Sequence, residues 1–66
     1  MEDKLIKALG KAHLALTELY NAYESVADDN SQSMEVQQYY LDRAFEIAQT
    51  IMDVDNELMK LKEEEL

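Results

Sequence analysis

Three sets of side chains have the types from which chemistry is built: the imidazole of His13, the carboxylates of Asp53-Val54-Asp55-Asn56-Glu57 with Glu64 beyond, and the phenols of Tyr20, Tyr23, Tyr39 and Tyr40. His13 is the only histidine, and no partner for metal binding or proton transfer stands three or four residues from it. The Glu-x-x-His motif of di-iron bundles fails because Gly10 occupies the glutamate position. A structural place at the edge of a packing seam is therefore expected for His13. The acidic run matches the ligand positions of a calcium loop, but the sixth position of such a loop requires glycine and here holds Leu58. Val54, Leu58 and Leu61 carry a helical apolar pattern through the segment, so a solvated acidic helix face is expected. No glycine-rich phosphate loop and no nucleophile beside a base is present, and the expectation is a non-enzyme without cofactor or metal.

The elements that position these groups follow from spacing. Leu5, Leu9, Ala12, Leu16, Leu19, Tyr23 and Val26 recur at alternating steps of four and three, as do Tyr40, Ala44, Ile47, Ile51, Val54, Leu58 and Leu61. Such steps keep side chains on one helical stripe, whereas a strand needs strict alternation. Between the seams lies Asp28-Asp29-Asn30-Ser31-Gln32-Ser33, a run of cap and turn formers. The sequence predicts an all-α fold with one domain over residues 1–66, an antiparallel hairpin with helices at about 2–27 and 33–64. Ser31 or Ser33 is the expected N-cap of the second helix. Because the seams share one heptad phase, the rival is a single helix about 90 Å long in a parallel coiled coil, which would bury Asn30, Ser33 and Gln37 at successive seam positions. A turn near residues 31 and 32 instead sets Tyr23 near Tyr40, Leu19 near Ala44, Leu16 near Ile47 and Leu9 near Val54. The acidic end, Glu63-Glu64-Glu65, is expected to fray against the helix dipole.

A 66-residue chain has little interior to bury, and the usual remedies are disulfides, metals or oligomerisation. Cysteine is absent, so oligomerisation remains. The acidic start and the lack of a long apolar run predict a soluble, cytoplasmic protein. Fifteen acidic residues against six basic ones give a net charge of −9, which repels phosphate backbones and anionic lipid. No nucleic acid and no membrane is expected as partner.

The second helix bears a further seam of Leu41, Phe45, Ala48, Met52 and Met59, interrupted by Asp55. A helix apolar over about 160° needs cover on two sides. One side is met by the first helix, and the other awaits another chain. Tyr39 lies outside both seams and is a further expected contact. On the first helix, Ala8, Ala12, Ala15 and Ala22 form a small-residue stripe with Leu19 and Val26, while Leu14 and Gly10 suggest an outer contact. In architecture, though in no sequence motif, the chain resembles the two-helix proteins that dimerise into four-helix bundles, such as the Rop RNA-binding regulator. Those proteins bind RNA through a basic face that this chain lacks. The expected function is a small acidic interaction module, adaptor or regulator, pairing with itself as a homodimer or with another, possibly basic, helical protein. Its alternative is a co-chaperone binding a partner's amphipathic helix, as the helical hairpins that escort type III secretion needle subunits do.

Overall fold

With no proline and a single glycine, nothing in either apolar run interrupts a helix. The computed structural model describes residues 2–64 and contains α1, Glu2–Ala27, and α2, Met34–Glu64. The molecule measures 49 × 14 × 12 Å. Its long dimension is that of α2 alone, about 46 Å at 1.5 Å per residue. The chain therefore doubles back on itself, and the continuous rod does not form.

The turn is built by hydrogen bonds from residues poor at extending a helix. The Asp28 N–H reaches the Glu24 carbonyl at 2.9 Å, and the Asp29 N–H then tightens to the Val26 carbonyl at 3.1 Å, closing α1 with a 3₁₀ step. The Asp29 carboxylate accepts both the Ser31 N–H at 2.9 Å and the Ser31 hydroxyl at 2.6 Å. Its carbonyl accepts from the Gln32 N–H at 3.1 Å and from Gln37 Nε2 at 2.8 Å, tying the turn to α2. Ser33 is the N-cap, its hydroxyl accepting the Val36 N–H at 3.2 Å, while Ser31 spends its own hydroxyl on Asp29. No described residue has a positive φ, so the turn requires no glycine.

The expected seam of α2 faces α1. Tyr40, Ile47, Ile51, Val54, Leu58 and Leu61 are half-buried, and Ala44, at 2% exposure, is the most buried of the seam. On α1 five of the seven expected seam residues, Leu9, Ala12, Leu16, Tyr23 and Val26, are half-buried, but the facing stripe is turned by part of a residue step from expectation. Leu5 and Leu19 are 47% and 38% exposed, whereas Ile6, His13 and Tyr20 are half-buried beside Leu9, Leu16 and Tyr23. Tyr20 lines the same interhelical cavity as Ala44, and the expected meeting of Tyr23 with Tyr40 holds at 5.5 Å between ring centroids. The physical reason lies in α1 itself, where neighbouring stripes about 100° apart are both apolar or aromatic. A tyrosine covers more area than a leucine and keeps its hydroxyl in water, so turning Tyr20 inward loses nothing polar. Of the small-residue stripe, Ala8, Ala15 and Ala22 are exposed, while Ala12 and Val26 are half-buried.

Gly10 is half-buried, yet a methyl group added there would meet nothing within 4 Å. Gly10→Ala should therefore stabilise the hairpin by about 1 kcal/mol through helix propensity alone. A thermal melt followed by circular dichroism checks it: an unchanged or lower midpoint would show that the glycine has a role in the fold. Helix α2 extends through Glu63 to Glu64. The expected fraying at Glu65 lies outside the described residues.

Candidate functional site

Helical spacing puts Leu41, Phe45, Ala48, Met52 and Met59 on one flank of α2, and the fold leaves that flank open. Leu41 is 52% exposed, Phe45 67%, Met52 58% and Met59 59%, with Ala48 half-buried at the inner edge. From Leu41 to Met59 the stripe runs about 27 Å along the helix. Large apolar side chains standing singly on a surface are ordinary, but four on one helical stripe form a contiguous patch of the kind that marks contact sites.

At the turn end this stripe joins a cavity of about 340 Å³ between the helices. Tyr20 and Glu24 of α1 form one wall, and Leu41, Asp42, Ala44, Phe45 and Ala48 of α2 form the other. The Tyr20 hydroxyl donates to Glu24 Oε2 at 3.0 Å, one helical turn on. That hydrogen bond, with the adjacent negative charge, holds the phenol above its ordinary pKa. Asp42 Oδ1 accepts from Gln38 Nε2 at 2.9 Å. The nearest arginine in sequence, Arg43, is engaged with Glu46 at 3.0 Å, and no basic side chain lines the cavity. The result is an apolar hollow with two carboxylates at its rim.

His13 acquires a partner that spacing does not reveal. Its Nε2 lies 3.1 Å from Asp55 Oδ1, the residue that interrupts the apolar stripe, so the polar gap in α2 meets the polar residue in the seam of α1. The two side chains, 34% and 53% exposed, form an ion pair whenever His13 is protonated, and such exposed pairs add little stability. Neither lines the cavity. The segment from Asp53 to Glu64 is helical throughout, which is incompatible with a calcium loop. Among the described residues no three acidic or imidazole side chains converge as a metal site.

Five of the six expected contact residues share one surface, and Tyr39 does not. Two positions from Leu41 along α2, it points about 200° away around the helix. It is 58% exposed and stands edge-on against Tyr40, with ring centroids 5.0 Å apart at 88°. Leu14 is 66% exposed. The residues that sequence reasoning missed are Glu24 and Asp42 at the cavity rim. The four-residue spacing of Tyr20 and Glu24 was the available signal, but only with Tyr20 turned inward does it mark a groove.

Fold and surface together define a class: an acidic α-helical hairpin with one apolar flank left uncovered by its own chain. No helix among the described residues is long and apolar enough to cross a membrane. Comparison with family models, with curated proteins and with solved structures returned no match.

Proposed function

We propose that this chain is a small acidic protein-interaction module that docks helices on the Leu41–Met59 stripe of α2. In the absence of another protein the occupant is a second copy, giving a homodimeric four-helix bundle. The observation that carries this reading is the row of four large apolar side chains more than half exposed on one flank, in a chain with a single fully buried residue among those described. Covering them removes apolar area from water at about 25 cal/mol per Å², a gain the isolated hairpin forgoes. Sedimentation of the full chain at micromolar concentration tests it. A species of twice the chain mass is expected, and a compact monomer would overturn self-association.

Charge sets the conditions under which the module is most stable. Among the described residues only Asp55 and Glu46 lie within ion-pair distance of a basic side chain, so the remaining carboxylates repel one another across a small surface. Salt screens that repulsion, and lowering the pH from neutrality toward about 5 begins to neutralise it, so both should raise the melting temperature. Asp29 acts in the opposite sense at lower pH. Its pKa is held below the ordinary 3.8, first by the Ser31 hydroxyl and then by the Ser31 N–H. The turn's contribution is therefore complete above that value and is lost as pH falls through the lowered one. Melting temperature should rise, pass through a maximum and fall in strong acid, with a smaller acid-side fall in Asp29→Ala. A steady fall from neutrality that ignores salt would mean that the carboxylates are engaged in specific native pairs.

A further inference from the structure

We infer that the turn end of the stripe is a seat for a basic amphipathic helix of another protein, which displaces the second copy there. The inference rests on reading the α2 stripe as a helix-docking surface and specifies the chemistry of the occupant. The cavity accepts a bulky apolar side chain between Tyr20 and Phe45, on a floor that includes Ala48. Its rim offers the carboxylates of Glu24 and Asp42, which accept hydrogen bonds from Tyr20 and Gln38 but have no cation beside them. An incoming helix with an apolar anchor and Lys or Arg one turn to either side fills the hollow and neutralises the rim at once, because side chains three and four apart share a face. A second copy suits this end poorly. It brings a further charge of −9, and its own Glu24 and Asp42 are carboxylates that would be crowded toward a like-charged surface. Apolar complementarity alone does not distinguish the two occupants, and charge does.

The probe is a labelled synthetic peptide of about 18 residues, matching roughly 27 Å of helix, with leucine at helical spacing and lysine elsewhere. Its binding to the full chain is followed by fluorescence anisotropy, and the mass of the complex by sedimentation. Saturable binding that weakens with salt and converts the dimer to a one-to-one complex is expected. Phe45→Ser should weaken it about thirtyfold, as loss of a central aromatic anchor does. Glu24→Gln with Asp42→Asn should weaken it about tenfold. Glu18→Gln with Glu57→Gln, which makes the same change of charge at exposed positions facing away from the stripe, should weaken it less than about threefold. Equal losses from the two charge pairs, or equal binding of a scrambled peptide of the same composition, would overturn the proposal by reducing it to general attraction. So would failure of the peptide to bind. A chain that is monomeric alone but binds the peptide with this pattern would overturn self-association and leave the basic seat standing. A dimer that ignores the peptide would do the reverse.

Discussion

Met52→Glu is expected to dissociate the assembly while leaving the hairpin intact. Met52 is 58% exposed in the single chain, where a glutamate would be solvated and nearly neutral in its effect. In a dimer closed over the stripe the same carboxylate is buried without a partner, at a cost of at least about 2 kcal/mol for each copy. In the proposed homodimer two copies would meet at a two-fold interface, so the dissociation constant should rise by about a thousandfold. Sedimentation should then report the chain mass at concentrations where the parent is dimeric, while circular dichroism shows unchanged helicity. Met52→Leu, which keeps the apolar surface, should leave the mass at twice that of the chain. If Met52→Glu is as dimeric as the parent, copies pair through another face and the stripe is not the interface.

Ala44→Leu is expected to be the most damaging single change to the hairpin itself. Ala44 is 2% exposed, so three more carbon atoms must push the helices apart, adopt a strained rotamer or turn into the cavity that Ala44 also lines. Overpacking of this kind costs about 1–3 kcal/mol. For a domain of this size each kcal/mol moves the melting midpoint by about 4–8 °C, so a fall on the order of 10 °C is expected. Ala48→Leu supplies the contrast. It adds the same atoms one turn further on, at a position only half-buried, so the midpoint should fall much less. Equal effects at the two positions would show that Ala44 does not set the interhelical distance.

Much of this architecture is legible in the residue order. Helix positions follow from apolar spacing and from the polar run at 28–33, because a packed helix must carry its apolar side chains on one stripe and a turn must satisfy its own backbone groups. The packing face of α2 was legible for the same reason. Its seam residues from Tyr40 to Leu61 are the longest uninterrupted apolar set on that helix, and Ala44 among them is the most buried. The open stripe from Leu41 to Met59 is what remains of its apolar surface once that seam is assigned.

Tertiary structure alone decided the rotation of α1 and everything that depends on it. That helix offers Leu5 and Leu19 on one stripe and Ile6, His13 and Tyr20 on the next, and residue types do not rank the two, since either buries comparable apolar surface. The choice is made where Tyr20 can turn toward the interhelical cavity and still donate its hydroxyl to Glu24, and where His13 can reach Asp55 across the interface. These contacts join residues at least 24 positions apart or depend on which way a side chain is turned, so periodicity along one helix carries no trace of them. The cavity and its acidic rim exist only as a product of that rotation. Sequence by itself determined that one flank of α2 would be left uncovered, because the apolar residues outnumber what a single neighbouring helix can cover. Only the packed pair of helices decided that Glu24 and Asp42 would stand at its edge.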